Sequence, residues 1–171
     1  LEIFHKQGVL GLFLWVFFKI RKKRLIVEAY IKKFDRSKVI PIILSGFSFA
    51  LFVSTAISLL PIPESLLESY LQSTEGMVSG SLIIMLISIV IIAPIVEEII
   101  FRGLILSRLN KVMNTTVALI VSSLIFAILH GHILWVTYAF VLGVLFGIIA
   151  IKTGSTLRTI IFHMSFNLAG L

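Results

Sequence analysis

Six long apolar stretches, at about 8–20, 39–61, 80–106, 116–131, 133–151 and 159–171, are set apart by short polar or basic segments. Within each stretch the apolar residues run on continuously instead of alternating with polar ones. Continuous runs of this kind read as spanning helices, whereas barrel strands would alternate. The expected fold is therefore all-α, a polytopic transmembrane helix bundle of about six spans. Lipid offers the backbone no hydrogen-bond partners, and a helix satisfies its own. Pro61 and Pro63 mark the end of the second run. The first run is short for a span, and Arg21-Lys22-Lys23-Arg24 follows it rather than preceding it, the reverse of a signal peptide.

Composition supports a membrane protein. The 171 residues are 58% hydrophobic and 13% charged, about half the charge of an ordinary soluble domain. A net charge of +7 would suggest nucleic acid, but the Lys and Arg residues cluster between apolar runs. Segments 21–38, 107–115 and 152–158 are basic, while 62–79 carries Glu64, Glu68 and Glu75 with no Lys or Arg. That alternation follows the positive-inside rule, so the basic loops are expected in the cytoplasm. The implied partner is the lipid bilayer, with no nucleic acid. The absence of cysteine excludes disulfides, thiolate metal sites and a cysteine nucleophile. The chain starts at Leu1 and its last run stops at Leu171, so one or both ends are expected to be incomplete.

The third run holds charges that lipid should reject. Residues 91–103 read Ile-Ile-Ala-Pro-Ile-Val-Glu-Glu-Ile-Ile-Phe-Arg-Gly, which places Glu97, Glu98 and Arg102 inside the run. Each charge at a helix centre costs about 2.5–3.5 kcal/mol on an insertion scale, against roughly 0.3–0.6 returned by each Leu or Ile. A helix end with snorkelling side chains would explain them cheaply, but Leu104, Ile105 and Leu106 continue the apolar run beyond. Glu98 and Arg102 are four apart and share a helix face, whereas Glu97 lies about 100° round. Glu98 can then pair with Arg102, leaving Glu97 to point into the bundle. Pro94 should kink the helix just before the pair.

Two later runs carry further polar groups at helical spacing, Phe126-x-x-x-His130 and His163-x-x-x-Asn167. Taken singly, His130 reads as an interfacial or packed residue, while for His163 with Asn167 hydrogen-bonding glue between helices is the plainer alternative to a site. Taken together, three helices supply two carboxylates, two imidazoles and an amide, the groups that hydrolysis by an activated water requires. Glu97 suits the base and His130 the water ligand. His163 and Asn167 suit the oxyanion; alternatively His163 could join Glu97 and His130 around zinc or another divalent metal. The residues leave both routes open. No His-Glu-x-x-His motif is present, and Ser122, Ser123 and Ser165 lack a Gly-x-Ser-x-Gly context. His132 falls in a turn expected outside the cell and His5 near the start; neither is given a role. A non-catalytic scaffold that binds a peptide, or a proton-coupled carrier, would use the same groups differently.

In order and spacing, Glu97-Glu98-x-x-x-Arg102, Phe126-x-x-x-His130 and His163-x-x-x-Asn167 resemble the CPBP family, which comprises type II CAAX prenyl endopeptidases and the bacteriocin-processing or bacteriocin-immunity membrane proteins also called Abi. Phe101-Arg102-Gly103 and Thr153-Gly154-Ser155 resemble the flanks of its motifs. The resemblance covers about residues 80–170. It implies an intramembrane glutamate-dependent endopeptidase of metalloprotease class, with Glu97 and His130 activating water, His163 and Asn167 at the oxyanion, and Glu98 and Arg102 in support. It divides the chain into N-terminal spans with a basic loop at 1–79 and a catalytic core at 80–171. It also implies a peptide or protein substrate at a bacterial plasma membrane, in processing or immunity. The sequence leaves the oligomeric state open. Gly143-x-x-x-Gly147 is expected to pack within the bundle, and Asn114-Thr115-Thr116, a glycosylation sequon on a cytoplasmic loop, is expected to stay unmodified.

Overall fold

A computed structural model of the chain describes residues 29–32, 35–78 and 81–171. The first apolar run, the Arg21–Arg24 cluster and His5 lie outside the described residues. Those residues form six helices and no strand: α1 (Val39–Ser58), α2 (Glu64–Val78), α3 (Leu82–Leu109), α4 (Thr115–Ile128), α5 (Ile133–Thr153) and α6 (Thr156–Ala169). The expected all-α membrane bundle is what the chain forms. A short 3-10 turn at Arg36–Lys38 opens α1, and with it α1, α3 and α5 are long and apolar enough to cross a bilayer. At 14 residues each, α4 and α6 reach about 21 Å, less than the hydrocarbon thickness.

Local chemistry sets the boundaries. The Asn114 side chain accepts a hydrogen bond from the backbone N–H of Val117 at 2.9 Å, so the sequon asparagine is the N-cap of α4. Gly154, at φ 60°, closes α5 in the left-handed conformation, and α6 starts two residues later. The segment 62–79, which the apolar runs leave as a connection between spans, contains α2. Its inward face is Leu66, Ser69, Tyr70, Ser73 and Thr74, while Glu64, Leu67, Glu68, Leu71 and Glu75 are exposed. A face built of hydroxyls gives no apolar stripe for the sequence to betray.

Two helix pairs flank α3. In one, α1 packs along α6, where a Cβ on Gly46 would lie 2.7 Å from the Phe162 carbonyl oxygen. In the other, α4 packs along α5, with Gly143 against Ser123 and Gly147 against Leu119, as expected of the Gly-x-x-x-Gly spacing. α3 touches α4, α5 and α6. Phe101, Phe126, Ala127 and Ala139 form one buried cluster, and Leu142, Phe146 and Phe162 another. Residues 29–32 run across the base of this assembly. The hydroxyl of Thr156 donates to the Ala29 carbonyl at 2.7 Å, that of Ser155 to the Lys32 carbonyl at 3.0 Å, and Gly103 leaves room for Ala29.

Candidate active site

The helix that carries the carboxylates is not uniformly α-helical. It is π-helical over Ile87–Ile92 and again over Ile99–Leu106, with a regular segment at Ala93–Glu98 between them. The N–H of Ala93 reaches five residues back to the Ser88 carbonyl. Next in that ladder is Pro94, which has no N–H to offer Ile89. The Ile89 carbonyl is met from another helix, by Nδ2 of Asn167 on α6 at 2.9 Å. In the second π-helical stretch the hydroxyl of Ser122 on α4 donates to the Phe101 carbonyl at 3.2 Å.

Between these irregular stretches sits the carboxylate pair. Glu98 is fully buried, and its Oε1 faces Nη1 of Arg102 at 3.2 Å, an ion pair whose geometry falls short of a hydrogen bond. The same oxygen lies 3.0 Å from Nδ1 of His163. Arg102 donates through Nη2 to the Gly143 carbonyl at 3.1 Å, and its guanidinium lies 4.4 Å from the Phe126 ring centre and 5.1 Å from that of Phe146. A buried cation is thus held by one carboxylate, one carbonyl and two aromatic faces. The expected pairing of Glu98 with Arg102 is present.

Glu97 has different surroundings. Its side chain is 18% exposed, and its Oε2 lies 4.0 Å from Nε2 of His163. His163 is therefore suspended between the two glutamates, with Nδ1 on Glu98 and Nε2 toward Glu97. Since a carboxylate only accepts, Nδ1 carries a proton, and Nε2 is the ring nitrogen turned to Glu97. His163 packs 4.6 Å from Phe146 and 6.3 Å from Phe126, centre to centre.

His130 follows the same logic. It lies in the turn just beyond α4, two residues past the helix rather than within it. Its Nδ1 is 2.9 Å from the Phe126 carbonyl, so Nδ1 again carries the proton and Nε2 is left as an acceptor. The Phe126 ring meets the imidazole edge-on at 4.7 Å, which is the contact expected from their spacing of four. The Phe126 ring thus lies against both imidazoles.

The groups that the sequence singled out mostly converge: Glu97, Glu98, Arg102 and His163 form one connected cluster, His130 adjoins it through Phe126, and Asn167 reaches α3 through its backbone. Among the described residues, however, no three His, Asp or Glu side chains group closely enough to share one ion, Glu97, His130 and His163 included. Each imidazole offers an Nε2 suited to a metal, but a catalytic zinc takes three protein ligands. Ser122, Ser123 and Ser165 each donate their hydroxyl to a backbone carbonyl, and none is set against a base.

His132, given no role by the sequence, ties two elements together. Its Nδ1 accepts from the Leu134 N–H at 3.3 Å as the N-cap of α5, which places the proton on Nε2. Nε2 then donates to the Ser69 hydroxyl of α2 at 2.9 Å, and Ser69 donates onward to the Leu66 carbonyl. Tyr70 stands edge-on to His132 and to Trp135, 5.7 Å from each.

The comparisons with known proteins bear on this cluster directly. Residues 79–169 match the family described as type II CAAX prenyl endopeptidase Rce1-like. The chain belongs to that family. The membrane-embedded CAAX protease MroQ of Staphylococcus aureus (strain USA300) is 27% identical over 140 residues, covering 77% of this chain and 57% of that protein. The chain thus spans a little over half the length of the curated relative it matches. No solved structure matches. The part that matches the type II CAAX endopeptidase family runs from the start of α3 to the end of α6, and so contains Glu97, Glu98, Arg102, His130, His163 and Asn167. Within the matched part, the flank residues Gly103 and Ser155, together with Thr156, receive segment 29–32.

Proposed function

We propose that this chain is an intramembrane endopeptidase that hydrolyses a peptide bond of a membrane-associated peptide or protein, with Glu97 as the general base. The observation that carries this reading is the suspension of His163 between Glu98, which is buried and paired, and Glu97, which is partly exposed. The 4.0 Å between Nε2 of His163 and Oε2 of Glu97 is too long for a direct hydrogen bond. It lets one water stand about 2.8 Å from both.

Glu97 accepts a proton from that water while its oxygen adds to the carbonyl carbon of the scissile bond. His130 orients the water by accepting a hydrogen bond at its bare Nε2. In this scheme His163 enters the reaction protonated on both nitrogens, its charge balanced by Glu98, and its Nε2–H donates to the water oxygen and then to the oxyanion as it forms. Arg102 places a cation beside Glu98 at the centre of the bundle. When the tetrahedral intermediate collapses, the C–N bond breaks and Glu97 returns its proton to the departing amine. This scheme passes no step through a metal, because the donor set does not converge on one point. The basic segments 21–38, 107–115 and 152–158 favour an orientation with those loops in the cytoplasm, and the Staphylococcus aureus relative favours a bacterial plasma membrane.

The test is to express Glu97→Gln and His130→Ala beside a panel of membrane-anchored precursor peptides and to follow processing by mass. Both variants should insert normally and should cut processing by a factor of about a hundred or more. Undiminished processing in Glu97→Gln would overturn the reading. A biological effect that survives in both variants without cleavage would instead indicate a binding or immunity protein.

A further inference from the structure

We infer that Asn167 is a positioning residue: its carboxamide supplies the hydrogen-bond donor that Pro94 withholds from α3, and so fixes the direction in which Glu97 leaves the helix. The resemblance of the His163-x-x-x-Asn167 motif implies a place for Asn167 at the oxyanion. The geometry points elsewhere. A carbonyl acceptor requires that Asn167 present its amide nitrogen, and Nδ2 sits 2.9 Å from the oxygen of Ile89. Ile89 has lost its partner for a reason visible in the sequence. The N–H of Ala93 has slipped to Ser88, five residues back, and the following residue is a proline.

An unpaired carbonyl inside a bundle surrounded by lipid is costly, and water is not at hand to relieve it. Asn167 is placed to relieve it because α6 packs along this part of α3. The consequence falls on the next turn. Pro94 is fully buried and opens the short regular segment Ala93–Glu98, at whose end stand both glutamates. Whatever fixes the register at Ile89 also fixes which way Glu97 and Glu98 point. His163 lies one helical turn before Asn167 on the same face of α6. A single helix therefore sets both the backbone of α3 and the imidazole between its carboxylates.

The functional part of this inference rests on the proteolytic reading, and the structural part does not. The experiment is a double-mutant cycle of Asn167→Ala and Pro94→Ala, read by peptide turnover and by hydrogen exchange over residues 87–98. Pro94→Ala restores an N–H at position 94 that can close the ladder. Asn167→Ala alone should lower kcat roughly tenfold with KM little changed, and should speed exchange in that segment. In the Pro94→Ala background the same replacement should cost at most about twofold and leave exchange nearly unaltered. Asn167→Leu, which suits an apolar bundle, should behave like Asn167→Ala and serves if the latter is not recovered in membranes. An equal loss of kcat in both backgrounds, with exchange unmoved, would overturn the proposal and return Asn167 to the reacting atoms. If Glu97→Gln retains turnover, the proteolytic reading falls, while the exchange cycle still decides whether Asn167 staples α3.

Discussion

Glu97 and Glu98 are adjacent in the chain and opposite in environment. Glu98 is fully buried against Arg102 and His163, whereas Glu97 keeps a fraction of its surface open. Removing the cation should expose this asymmetry. Arg102→Met would leave a buried carboxylate facing only His163, and should lower stability in detergent by about 3–5 kcal/mol by thermal or denaturant unfolding. Adding Glu98→Gln should recover part of that loss, since the remaining charge is then removed as well. The spacing of four between Glu98 and Arg102 was legible in the sequence because both lie on one helix. That His163 takes Glu98 through Nδ1 and turns Nε2 to Glu97 was not legible, because it depends on how α6 is rotated against α3. The use of the Asn167 amide was hidden for the same reason.

At the scale of elements, apolar runs revealed α1, α3, α4, α5 and α6 to within a few residues, since lipid-facing helices must be continuously apolar. α2 escaped because its inward face is polar and makes sense only beside His132 and Trp135. The π-helical stretches escaped too: Pro94 announces a kink, but the register it produces depends on a donor 73 residues further along. α2 is held by few groups, so its attachment should be easy to loosen. Ser69→Ala or His132→Ala should quicken hydrogen exchange across residues 64–75 by roughly fivefold, the equivalent of about 1 kcal/mol, while α3 stays protected. Exchange that is unchanged in both variants would show that the Tyr70 contacts suffice.

For the molecule as a whole, the two sequence flanks Phe101-Arg102-Gly103 and Thr153-Gly154-Ser155 acquire a common purpose. They converge on residues 29–32, with Gly103 pressed to Ala29 and the start of α6 bonded to three carbonyls of that segment. No helical period links positions so far apart, so this join could not be read from the sequence. A Cβ on Gly103 would lie 2.9 Å from the Ala29 carbonyl oxygen, which is backbone and cannot swing aside. Gly103→Val should accordingly cost about 1–3 kcal/mol in unfolding experiments and dislodge the segment, seen as new protease cleavage near residue 30.

The pairing of Glu98 with Arg102 within one helix also bears on how the protein is made. Synthesis delivers α3 to the membrane before α6 exists, so neither His163 nor Asn167 is there to receive it. A helix carrying a lone glutamate would have to wait for its partner, whereas one that brings its own counter-ion a single turn away can enter lipid with that charge already matched. The ion pair that later orients the imidazole would first serve as the passport of α3 into the bilayer.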